Sequence, residues 1–166
     1  MVRTRHIIIG LLVVIIGIFV VRYILQSEER KVKKRFDLLS EWVSKDRNES
    51  NFTMAKKTLS IGTLFASNCV LETDVDSITG TYTPGEISSL AARLRSDFSV
   101  VSLRFYDLDI RFPDPDTAEA ILTAQLSGGS KTRGSIDDVF ELESGLKKLE
   151  DKWFFAAFKV VEVLEE

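Results

Sequence analysis

The sequence predicts an α+β domain standing behind an apolar N-terminal helix. Three observations carry that reading. Phe98–Leu164 divides into four successive apolar or alternating runs separated by turn residues. The segments upstream of it carry helical periodicity. Ile7–Leu25 is an apolar stretch interrupted by the single charge of Arg22.

In chain order, Ile7–Leu25 comes first. As a helix it is about 28 Å long, close to the roughly 30 Å of a bilayer's hydrocarbon core. The residues before it, with Arg3 and Arg5, form a short basic lead. Val21–Ser27 offers no small-x-small cleavage pattern, so an uncleaved membrane anchor is expected over a removed signal peptide. Residues 1–27 are assigned to tail and transmembrane anchor, and 28–166 to the domain. Arg3 and Arg5 favour a cytoplasmic N-terminus, with the domain on the exterior or periplasmic side. The basic cluster Arg30–Arg35 argues for the cytoplasmic side, which stays open.

Helical character continues over Ser27–Asp46. Val32, Phe36, Leu39 and Val43 recur along one stripe, widened by Leu38 and Trp42. The Arg30–Arg35 cluster reads as a solvated helix face in preference to a lipid-headgroup site. Lys45–Asn51 is a polar break. A second helix is expected over Phe52–Ser67, covered on most sides because two apolar lines run along it. Cys69–Val75 and Ile78–Thr83 read as a short strand pair. Thr83-Pro84-Gly85-Glu86 then has the form of a capping box with proline at the first helical position. The helix that it starts carries Ile87, Leu90, Ala91, Leu94 and Phe98 on one stripe.

The four strands expected next are Phe98–Phe112, Thr117–Ser127, Asp137–Lys148 and Trp153–Leu164. Pro113–Asp116, Gly128–Ile136 and Leu149–Lys152 join them in an antiparallel meander. Trp153, which opens the last strand, is expected to be buried.

Charge excludes one broad class of function. From Phe36 onward there are 14 Lys and Arg against 23 Asp and Glu, a balance of −9. Such a body lacks the clustered cations that nucleic-acid binding needs. The one cysteine, Cys69, reads as a small core residue.

Helix, helix, short strand pair, helix and four long strands, with Trp153 opening the last strand after the charged turn Leu149–Lys152, resembles the nuclear transport factor 2-like superfamily (SnoaL-like or cystatin-like fold). The resemblance covers Glu28–Leu164. It implies a cone of three helices packed on a curved, mainly antiparallel sheet, with a pocket at the open end suited to a small apolar ligand. It also implies a sheet able to engage a protein partner or a second copy.

Candidate sites follow. Isomerase-like members of the superfamily combine a helix tyrosine with pocket carboxylates, whereas the first helix here offers Phe36 and Trp42. Dehydratase-like members use a His with an Asp, and the sole histidine, His6, precedes the domain. The remaining candidate bases are Glu72 and Asp74, since a carboxylate in an apolar cavity gains basicity. The alternation Cys69, Leu71, Thr73, Val75 against Val70, Glu72, Asp74 turns both carboxylates away from the core. Asp107 and Asp109 are expected to share a solvated face with Arg111, opposite Arg104, and to pair with Lys or Arg on a neighbouring strand in preference to holding a cation or a cationic ligand. Glu141 and Glu143 receive the same reading. Ser127–Ser135 is rich in Gly and Ser but joins two strands, so a mobile hairpin loop is expected where a phosphate loop would need a helix. Asn48-Glu49-Ser50 and Asn51-Phe52-Thr53 match the glycosylation triplet, which has meaning only in a eukaryotic secretory setting. No cofactor and no metal ligand set is expected. The function expected is a membrane-tethered, non-catalytic binding or assembly module; the alternative is an isomerase- or cyclase-type enzyme.

Overall fold

The computed structural model describes residues 2–73, 78–130 and 134–164; the side chains of residues 2–12, 19 and 162–164 lie outside the description. Three helices pack on one face of a six-stranded sheet. The helices are α1 Val2–Val43, α2 Asn51–Gly62 and α3 Pro84–Asp97. The strands are β1 Phe65–Glu72, β2 Gly80–Tyr82, β3 Phe98–Asp114, β4 Thr117–Ser130, β5 Gly134–Leu149 and β6 Lys152–Leu164. Strand order is β2-β1-β6-β5-β4-β3, antiparallel throughout except where β1 lies parallel to β6. The expected α+β architecture is present, with a curved mixed sheet.

α1 is a single helix of 42 residues, about 63 Å long. Its second half enters the core through Val32, Phe36 and Leu39, as their spacing predicts. In its first half the apolar side chains between Val13 and Leu25 that are described stand exposed. Among the described residues no helix is long and apolar enough to cross a membrane. The expected span Ile7–Leu25 lies partly outside them, since the side chains of its first six residues are not described.

Phe36 is the centre of the core. Its ring meets Phe155, Phe105 and Phe158 edge-on, at centroid distances of 4.9, 5.4 and 6.5 Å. Ala118, Ala120, Leu122 and Ala124 alternate inward along β4, and the small side chains of the three alanines leave room for the larger core residues.

Two polar clusters hold the ends of the core-facing half of α1. At the near end Glu28 accepts from Trp153 Nε1 at 2.7 Å and pairs with Lys148 and Lys31 at 3.2 and 3.0 Å. Lys31 and Lys148 also reach Asp151 in the β5–β6 turn, each at 3.3 Å. At the far end the fully buried Arg95 of α3 donates from Nη1 to the carbonyl oxygens of Trp42, Val43 and Ser44. Those carbonyls end α1 without helical partners and carry its negative dipole end, so a guanidinium satisfies both needs. Arg95 Nη2 pairs with Glu49, which Lys57 also holds at 3.0 Å.

The predicted elements differ from the observed ones at several ends; β1 spans Phe65–Glu72 and β2 only Gly80–Tyr82. α2 stops at Gly62, and Phe65–Ser67 belong to β1. A Cβ at Gly62 would fall 2.5 Å from the Pro84 carbonyl oxygen, so the helix end is wedged against α3; Phe155 N–H then draws the chain into the sheet by bonding the Leu64 carbonyl at 2.9 Å. α2 is also barer than expected: Phe52 is 80% exposed and Leu59 is exposed too, while Thr58 and Ile61 face the core. The β4–β5 loop is tighter than predicted, because Gly128, Gly129 and Ser130 pair with Ile136, Ser135 and Gly134. Backbone pairing needs no side chain, which is why the glycines continue the ladder. The rest of that expected loop, residues 131–133, lies outside the described residues.

The capping box at the start of α3 forms as predicted, Thr83 and Glu86 each bonding the other's backbone N–H. The β5–β6 turn places Glu150 and Asp151 at φ 48° and 63°. Both lie in the left-handed region that a two-residue hairpin turn requires.

Trp153 is 1% exposed, lies 5.6 Å from Phe112 ring to ring, and donates to Glu28. Trp153→Ala is expected to destabilise the fold by about 3–5 kcal/mol, the range for large core aromatics, measured by denaturant titration.

Burial alone would raise the carboxyls of Glu28 and Glu49. Hydrogen bonds from Lys31, Trp153 and Lys148 to the first, and from Lys57 and Arg95 to the second, outweigh it and hold both below the ordinary 4.5. A depressed carboxyl supplies stability that is complete above its unfolded value and lost as pH falls through its folded one. Unfolding midpoints should therefore fall as pH drops below 4.5. Glu49→Gln should lower stability at neutral pH and flatten that acid limb.

Candidate functional site

The expected pocket inside the cone is occupied by the protein's own side chains. Phe36, Phe155 and Phe158 meet there, with Leu122, Leu142 and Leu146 lining the sheet side. Buried polar side chains near this space are committed: Ser144 Oγ bonds the Ala157 carbonyl at 3.2 Å, and Thr58 Oγ1 bonds Met54 O at 2.8 Å. Tyr82 packs against the core from β2, but its hydroxyl donates to Ile78 O at 2.7 Å. Cys69 is fully buried, and burial pushes its thiol up to about 11, which suits a core residue and not a nucleophile.

Glu72 projects from the opposite face, where the alternation of β1 places it. Cys69 and Leu71 point inward while Val70 and Glu72 point outward, and Glu72 stands opposite Lys159 of β6. Asp74 lies outside the described residues. Of the two carboxylates read from the sequence, the described one does not face the cone.

A polar concavity lies on this outer face. Register across five strands assembles it: Val70 and Glu72 of β1, Ala157 and Lys159 of β6, Glu143 and Gly145 of β5, Glu119 and Ile121 of β4, and Asp109 and Arg111 of β3. It encloses about 440 Å³. Gly145 and Ala157 are neighbours across β5 and β6, and their lack of bulk makes the floor. Val70 and Ile121 give that floor apolar sides, Ile121 being 42% exposed. The rim carries four carboxylates and two cations. Arg111 pairs with Asp109 at 3.3 Å and Lys159 with Glu143 at 3.8 Å, both pairs in solvent. Such a groove can receive an apolar side chain flanked by charge. Its described carboxylates, Glu72, Asp109, Glu119 and Glu143, stand exposed, unlike the desolvated groups that acid–base catalysis uses.

Glu143 thus takes the cross-strand pairing expected of it. The expected face of Asp107 needs correction. Asp107 sits in a β-bulge at φ 53°, with the register shifting between Tyr106 and Asp109. One extra residue reverses the alternation beyond it. Arg104, Tyr106, Asp109 and Arg111 all stand on the outer face as a result, and Asp107 drops out of the pair. Among the described residues no group of three His, Cys, Asp or Glu is placed to hold a metal ion.

The fold matches solved structures over most of its length. One is a scytalone dehydratase candidate from Novosphingobium aromaticivorans, at 13% identity, covering 84% of this chain and 86% of that one, with a TM-score of 0.66. Another is the hexachlorocyclohexane dehydrochlorinase LinA-type3 from Novosphingobium barchaimii, at 12% identity over 84% and 90%, TM-score 0.65. A third is a candidate calcium/calmodulin-dependent protein kinase II association domain from Xanthomonas campestris, at 12% identity over 81% and 84%, TM-score 0.57. No family model matches the sequence, and no curated protein matches it either. The domain therefore has the nuclear transport factor 2-like fold; identities this low extend to the fold and not to an activity.

Gly145→Ala should fill the groove floor while keeping the fold. The added Cβ would meet only the Ala157 methyl, at 3.6 Å, and removing a glycine stiffens the unfolded chain. Stability is expected to stay level or rise by up to about 1 kcal/mol in urea titration.

Proposed function

We propose that this chain is a membrane-tethered, non-catalytic binding or assembly module of the nuclear transport factor 2-like type, holding a protein partner on the outer face of its sheet. One observation carries the proposal. The inner face is packed with apolar side chains, whereas the outer face offers a groove with an apolar floor and a charged rim. The apolar residues standing exposed between Val13 and Leu25 support the tether, because such a surface is costly to leave in water. The domain then lies on the exterior side, with the cytoplasmic side as the alternative. A second copy of the chain is one form that the partner can take.

A second reading is a small-molecule enzyme of the isomerase or cyclase sort, and the comparisons favour it over the first. Two of the solved neighbours carry the names of a dehydratase and a dehydrochlorinase. The association domain among them favours the module. On the enzymatic reading Glu72 or Asp74 is the base. Glu72 counts against it by standing in solvent on the outer face.

The test pairs two sets of variants in the full chain. Ile121→Asp places a charge on an apolar side of the groove and should weaken partner capture tenfold or more, at a stability cost of about 1 kcal/mol because aspartate suits a strand poorly. Unchanged capture would remove the groove from the partner site. Glu72→Gln and Asp74→Asn should leave capture of the partner intact. A turnover that either one abolishes would replace the module with the enzyme.

A further inference from the structure

The apolar half of α1 and its core-buried half belong to one unbroken helix, so the distance from membrane to domain is set by helix geometry and not by a linker. From Leu25, the end of the apolar run, to Glu28 is three residues, about 4.5 Å along the axis. A headgroup layer is about 6 Å deep on each side of the hydrocarbon. Glu28 is already inside the fold, tied to Trp153, Lys148 and Lys31. Resting on the tether reading above, we infer that the base of the cone, formed by the β5–β6 and β3–β4 turns, sits in the headgroup layer of a phospholipid bilayer.

Three features of that base fit a headgroup layer. Leu149 is 53% exposed in the β5–β6 turn, an apolar side chain at the place nearest the hydrocarbon. The turn is pinned to α1 through Asp151 and Lys31, and the β3–β4 turn lies beside it, Lys148 N–H bonding the Asp116 carbonyl at 2.8 Å. The exposed charges are of both signs, Lys147 and Lys152 beside Asp114, Asp116, Glu150 and Asp151. That mixture matches zwitterionic headgroups, which present an ammonium and a phosphate together. Tyr23, 70% exposed beside Arg22 at the end of the apolar run, is the kind of residue that marks a membrane–water boundary.

The experiment uses the full chain in phosphatidylcholine nanodiscs, with a nitroxide label on Leu149→Cys, on Lys152→Cys or on Ser135→Cys. Ser135 lies at the far end of β5, about 45 Å along the strand from Leu149. Native Cys69 is buried and should stay unlabelled. Accessibility to a water-soluble nickel chelate is expected to be several-fold lower at 149 and 152 than at 135. A Gly-Ser insertion after Gln26 should raise the first two toward the third. Equal accessibility at all three sites in incorporated protein would overturn the seated base while leaving the tether standing. Failure of the chain to enter nanodiscs at all would overturn both.

Discussion

The fold depends on how α1 is held at the two ends of its buried stretch. Glu28 and Arg95 sit opposite one another along the core, one receiving the indole of Trp153 and the other closing the carbonyl end of the helix. Between them Phe36 presses into the aromatic side chains of β3 and β6. A buried arginine is tolerable only with its charge paired and its donors used. Glu49 and the three carbonyls supply that at Arg95, leaving Nε as a buried donor without a partner among the described residues. The polar network is thus a condition for the apolar one, because it fixes the depth at which Phe36 enters.

Filling the cone this way changes what the fold can do. Where a fold of this type leaves its interior open, a ligand sits among side chains that need not touch. Here the rings of Phe36, Phe155 and Phe158 are within 6.5 Å of one another, and the outer face has a groove of its own over Gly145 and Ala157. The neighbours named as enzymes share the backbone, and their likeness does not carry over the contents of the cone.

Much of this was legible in the residues because it rests on local periodicity. Alternation along β1 was enough to turn Glu72 outward, and the stripe through Val32, Phe36 and Leu39 marked the face of α1 that the sheet covers. The capping box at Thr83 needed four residues only. What stayed hidden involves register or partners distant in sequence. The Asp107 bulge reverses a face, and no local pattern signals it. Phe65–Ser67 continue an apolar run that suits helix and strand alike until Phe155 bonds it. The groove joins five strands, so no single segment contains it. Arg95 did leave a trace, standing four residues after Ala91 and eight after Ile87 on the apolar line of α3. A lone arginine in that position signals burial with partners, and Glu49 in the preceding polar break was its match.

The bond between Trp153 and Glu28 spans 125 residues of chain. Together with the parallel pairing of β1 and β6, it means that the cover α1 gains from β3 through Phe105 is completed only when β6, the last of the described strands, has been made. Contacts so far apart in sequence fold slowly, and the apolar stripe of α1 waits partly uncovered meanwhile. During synthesis the hazard for this protein is therefore one of timing: the cover of Val32, Phe36 and Leu39 begins with β3 and is complete only once β6 follows it.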